Sequence, residues 1–175
     1  MESSRTEPNV FESIAAGAIG GLIAALAMNK FQAAVAAVGE SMSRSEHAWD
    51  QTQEQKQESS GDDATAKAAN AISTAVFHHQ LTTIEKKWAG PVVHYGMGAK
   101  LGALYGALAP STSIETGAGM GYGVAVWLGA DEIAVPILGL SKLPIDTPFL
   151  SHVNALASHL VFGLVLHFTR KIVLS

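Results

Sequence analysis

The side chains in this sequence that can carry chemistry stand in apolar surroundings. Lys100 lies near the middle of residues 91–110, PVVHYGMGAKLGALYGALAP, a bilayer-length run of apolar and small residues that also holds His94. Asp131 and Glu132 are neighbours in a second such run, just before Pro136, and His159 lies in a third, seven residues after His152. Ionisable groups inside segments of this kind face a bundle interior or a water-filled cavity, where they pair with one another or pass protons. Lys100, Asp131, Glu132, His159 and His94 are therefore expected to form an intramembrane polar cluster.

Depth sharpens the expectation. Lys100, Asp131 and His159 each lie nine residues inward from Pro91, Leu140 and Leu150, which mark one membrane face. At 1.5 Å per residue this is roughly 13–14 Å, near the centre of a hydrocarbon core about 30 Å thick. Two arrangements follow: a Lys100–Asp131 ion pair with His159 as its third partner, or Lys100 snorkelling to an interface or Asp131 reaching a water-filled kink at Pro136.

Other chemistries lack their residues. There is no nucleophile elbow, no H-E-x-x-H and no phosphate-binding loop, so no catalytic residue is assigned and no enzyme is expected. The alternating Gly117, Gly119, Gly121 and Gly123 lack the strand and acidic partner of a dinucleotide site. His78 and His79 are adjacent and point about 100° apart on a helix, so no metal is expected there; no cofactor is expected either. The chain contains no cysteine, which removes disulfides and thiolate chemistry, and its net charge of −4 argues against a nucleic-acid partner.

The elements that must position these residues are helices. Mean hydropathy is only +0.23, but polar residues concentrate between 40 and 63 and leave the rest much more apolar. The chain divides into a polar tail (1–12), a first transmembrane helix (13–38), a polar linker (39–63), an amphipathic helix (64–90) and a three-helix transmembrane core (91–175). The first apolar run is long and its leading residues are acidic, so it reads as a retained span and not a cleaved signal. The expected fold is an all-α membrane protein, a four-helix transmembrane bundle with spans near 14–34, 92–109, 117–138 and 150–168 and one short extra helix in the first loop.

That helix should start at Asp62 or Asp63 and break at Gly90-Pro91, with Glu85-Lys86-Lys87-Trp88 as an interfacial anchor. Gly17 and Gly21, then Gly98, Gly102 and Gly106, and the run through Gly119 and Gly123, are small-xxx-small strips against which helices can pack closely. Lys100 lies about 200° round its helix from Gly98 and Gly102 and faces something else. Pro136 should free the carbonyl of Glu132 and kink the third span. Glycine strips on three helices point to a homo-oligomer in a lipid bilayer.

Three stretches resemble the YagU-like family of bacterial inner-membrane proteins, whose role is not established. They are Ala89-Gly-Pro-Val-Val-His-Tyr-Gly96 into Leu104-Tyr-Gly-Ala-Leu108, then Ala125-Val-Trp-Leu-Gly-Ala-Asp-Glu-Ile-Ala-Val-Pro136 with Leu138-Gly-Leu-Ser141, and finally Ala157-Ser-His-Leu160. The resemblance covers about the last half of the chain and implies a multi-pass inner-membrane protein without an assigned activity. Two functions remain open from the residues. In one, the cluster is titratable and serves a proton-linked or pH-responsive role such as acid tolerance; in the other, it is a satisfied polar clamp that fixes helix packing in a scaffold subunit.

Overall fold

The computed structural model describes residues 8–46, 60–109 and 116–175, and all the regular structure among them is helical. Asn9 and Glu12 open α1 (Val10–Glu46) with a reciprocal cap: the Asn9 amide donates to the Glu12 carboxylate at 3.0 Å and the Glu12 amide to Asn9 Oδ1 at 2.9 Å. The helix does not stop at residue 38. Residues 40–46, expected in a linker, prolong it past Gly39, because an established helix adds residues at little cost and one interior glycine costs only about 1 kcal/mol. The remainder of the expected linker up to residue 59 lies outside the described residues.

Helix α2 (Ser60–Phe77) starts ahead of Asp62 and Asp63, which fall in its first turn instead of capping it. It ends at His78, whose φ of 53° is the left-handed conformation that commonly terminates helices. Helix α3 (Thr83–Leu108) then begins from a capping box on Thr82 and Glu85 and continues through Gly90-Pro91. The expected break is absent. Pro91 forfeits one intrahelical bond, but α3 is held along its length by α1 and by α2, and Gly90 lies against Thr65 and Ala66 of α2. One amphipathic helix over 64–90 thus becomes two helices with a turn at 78–82.

The third segment changes winding along its length: α4 (Thr116–Val126), a π-helical stretch (Trp127–Ala134) and the short α5 (Val135–Ile137) follow without a gap. A 3₁₀ turn (Pro144–Asp146) leads to α6 (Phe149–Val173). Helix α1 sits at the centre, with α3 on one face and α6 on another; α6 carries α4 on its far side, and α2 covers α3. Tyr122 closes the ring by donating to the Leu101 carbonyl at 2.7 Å, its ring 5.0 Å from that of Tyr105.

The interior is made of small residues. A methyl group added at Gly17, Gly21, Gly102 or Gly106 would fall on the carbonyl of the facing helix, so α1 and α3 touch by backbone. Phe162, Leu166 and Tyr105 fill the centre with Ala24, Ala25, Met28 and Ala109. The large side chains of α1, including Phe11, Ile19, Leu22, Ile23 and Leu26, point outward. Two helices, Val10–Ser41 and Phe149–Val173, are long and apolar enough to cross a membrane.

Candidate functional site

Pro136 determines the geometry around the acidic pair, though not by a simple kink. A proline cannot donate to the residue four before it, and its ring clashes with that carbonyl in an α-helix. The chain answers by widening: the Val135 amide donates to Ala130, five residues back, and all eight residues from Trp127 are π-helical. Such segments are rare and concentrate at functional sites. Each residue turns through a smaller angle than the 100° of an α-helix, so adjacent Asp131 and Glu132 both reach α6.

Glu132 Oε1 lies 2.7 Å from His152 Nδ1, and His152 Nε2 lies 3.0 Å from the Pro144 carbonyl. With an ionised Glu132 both partners are acceptors, and an imidazole carrying hydrogen on both ring nitrogens satisfies the two together. This is a closed clamp joining the π segment, the 3₁₀ turn and the start of α6. Asp131 is different. Its carboxylate is 3.7 Å from His159 Nδ1, beyond hydrogen-bond length, while that nitrogen lies 3.0 Å from the Ala155 carbonyl of its own helix. The Asp131 side chain is 39% exposed against 17% for Glu132. One carboxylate is fixed and the other remains reachable.

His94 of α3 is within electrostatic reach of Asp131, and its Nε2 is buried without a hydrogen-bond partner. Trp127 Nε1, four residues before Asp131, is likewise buried and unpartnered. The fold therefore gathers Asp131, Glu132, His159 and His94, and adds His152.

Lys100 is not among them. It is exposed on the outer face of α3, because α1 occupies the Gly98–Gly102–Gly106 face and Lys100 lies far round the helix from it. The expected Lys100–Asp131 pair within the chain does not form; a histidine stands beside the carboxylate instead.

The buried cation is Arg170, 1% exposed, in the last turn of α6. Its Nε and Nη2 donate to Ser13 Oγ at 3.2 and 2.7 Å, and the Ser13 hydroxyl donates to the Gly106 carbonyl at 2.7 Å. One helical step away, Tyr105 Oη and His167 Nδ1 are 2.8 Å apart. A signal existed: Arg170 continues the buried stripe of Ser158, His159, Phe162, Gly163, Leu166 and His167 at helical spacing. Gly163 was missed too. It faces Gly119, and Gly119 and Gly123 in turn meet His167 and His159 of α6.

Outside the bundle, the Thr82 amide and hydroxyl, then His79, hold the Glu85 carboxyl down to about 2. Glu85, expected in an interfacial anchor, thus serves the start of α3, and Trp88 beside it is exposed. Among the described residues, no three His, Asp or Glu side chains converge as a metal site.

No curated protein and no solved structure matches the chain. A family described as a protein of unknown function, DUF1440, matches residues 65–168, which include His94, Asp131, Glu132, His152 and His159 but exclude α1 and Arg170. The match spans more than half of the 175 residues, and the chain belongs to the DUF1440 family.

Proposed function

We propose that this is a multi-pass protein of a bacterial inner membrane, non-enzymatic, in which Asp131 and His159 bind and pass protons in a pH-responsive role. Membrane location is supported by the inverted distribution of side chains. Glycine, alanine and serine line the helix contacts while Phe11, Ile19, Leu22, Ile23 and Leu26 face outward, an arrangement that suits lipid and not water. In this reading α1, α3, the α4–π segment and α6 all cross the bilayer.

The observation that carries the proton reading is the loose Asp131–His159 approach between the π segment and α6. Neither group is locked by the other, and Glu132, His94 and His152 are the other charged or titratable groups near them. The scaffold reading draws its support from the other half of the cluster. Glu132 and His152 are fully engaged with each other and with Pro144, as a structural clamp should be.

The test is proton flux into sealed vesicles carrying the reconstituted protein and a pH-sensitive dye, under an imposed pH gradient. Asp131→Asn and His159→Gln should reduce flux to the level of empty vesicles while the protein remains inserted. If Asp131→Asn conducts as the unaltered protein does, or the unaltered protein conducts nothing, the proton reading falls and the scaffold reading stands.

A further inference from the structure

Asp131 and Glu132 are consecutive, so whatever sets the rotation of one sets that of the other. Asp131 anchors nothing: its carboxylate stands 3.7 Å from His159 Nδ1, beyond hydrogen-bond length. Glu132 is tied at 2.7 Å to His152 Nδ1, and the same ring is tied at 3.0 Å to the Pro144 carbonyl. Among the described residues, this is the one side-chain hydrogen bond between the π segment and α6. It lies next to the Asp131–His159 pair and is not part of it.

What this bond can hold is the winding. Two windings are open to a helix that ends on Pro136: an α-helix that leaves the Glu132 carbonyl free, and the i→i+5 form in which the Val135 amide donates to Ala130. They differ by roughly 15–20° per residue, so between Trp127 and Glu132 the difference grows to about a quarter turn. Such a turn takes Glu132 off His152 and carries Asp131 away from His159. Little on the outer side opposes it. Leu128 and Ile133 are exposed, a methyl group at Gly121 or Gly129 would meet nothing, and Gly139, with a φ of 69°, turns the chain just beyond the segment.

We infer that Glu132 and His152 are positioning residues for the Asp131–His159 pair: their bond holds the wide winding, and when it opens the segment rewinds as an α-helix and Asp131 leaves His159. The functional consequence rests on the proton reading given above, whereas the winding itself does not. The bond is charge-assisted while Glu132 is ionised and His152 carries both hydrogens. Protonating Glu132 in acid, or deprotonating His152 in alkali, removes one of the charges, so the winding is held at intermediate pH and released on either side. The other titratable groups around the clamp are Asp131 on the same segment, His159 of α6 and His94 of α3, with Lys142 and Asp146 flanking Pro144 in the chain.

Spin labels read the winding directly, because the chain has no cysteine of its own. A label on Ile133→Cys is measured against references at Ile19→Cys on α1 and Phe168→Cys on α6, all three positions being exposed. With Glu132→Gln the label at 133 should move by roughly 5–8 Å against at least one reference, the chord of a quarter turn at side-chain radius. A label at Met120→Cys, on α4 ahead of the π segment, should keep its distances. Acidification should produce the same displacement in the unaltered chain and no further change in Glu132→Gln. His152→Phe opens the bond from α6 and should match Glu132→Gln; it serves in its place if that variant does not accumulate. Unchanged distances at 133 in whichever variant accumulates overturn the proposal. In the vesicle assay both variants should lower proton flux at least tenfold although Asp131 and His159 are intact, and a displaced label with full flux overturns the positioning role. If the unaltered protein carries no flux, the proton reading falls alone and the label distances still decide the winding.

Discussion

Two interfaces of this bundle are built on the same small-residue spacing and end with opposite properties. Between α1 and α3, Gly17 and Gly21 meet Gly98, Gly102 and Gly106 with backbones in contact, and the row ends in the Ser13–Arg170 hydrogen bonds. No space is left between the helices. Between α4 and α6, Gly119, Gly123 and Gly163 begin in the same way, but the π winding from Trp127 onward turns Asp131 and Glu132 together toward His159 and His152. Helix winding, more than composition, decides which contact is sealed and which can host titratable groups.

The comparison breaks most visibly at Gly102. A leucine there would drive its side chain into the Gly17 carbonyl and the Gly21 backbone, and overpacking against rigid backbone should cost about 3 kcal/mol, the upper end of its usual range. The expected result is a lower thermal midpoint in detergent and less folded protein; an unchanged midpoint would refute the backbone contact. Ser13→Ala probes the polar end of the same interface. It removes both hydrogen bonds that Arg170 donates to Ser13 and the one that the Gly106 carbonyl accepts from it, at about 1–3 kcal/mol. Denaturant unfolding should show it, with the m-value unchanged.

The contrast inside the polar site is read by two isosteric changes. Glu132→Gln opens the clamp on His152 and should destabilise by about 1–3 kcal/mol, whereas Asp131→Asn, which has no short hydrogen bond to lose, should stay within about 1 kcal/mol of the unaltered protein. Equal losses from the two would erase the distinction between a fixed and a reachable carboxylate.

The smallest effect lies outside both interfaces, at the start of α3. Thr82→Ala removes the cap at about 1 kcal/mol. Because Glu85 is held at about 2 against an ordinary 4.5, its contribution is complete above pH 4.5 and is lost as pH falls through 2. Amide protection in the first turn of α3 should decline over that window, and Glu85→Gln should abolish the pH dependence.

Much of this was legible without coordinates, and for local reasons. Apolar length and periodicity located the long helices; four-residue glycine spacing marked Gly17, Gly21, Gly98, Gly102 and Gly106 because spacing alone puts residues on one helix face; and Pro136 announced a disturbance beside Asp131 and Glu132. Helix ends were read less well. The polar residues after 38 and the Gly90-Pro91 pair looked like boundaries, but neighbouring helices and an already formed helix carried the chain through them. What only the tertiary structure decided was partnership. Equal depth suggested that Lys100 and Asp131 would meet, yet depth is one coordinate, and the rotation of each helix is determined by which face its neighbours occupy. Once α1 had taken the glycine face of α3, Lys100 was turned outward, Arg170 became the buried cation, and histidines of α6 became the neighbours of the acidic pair.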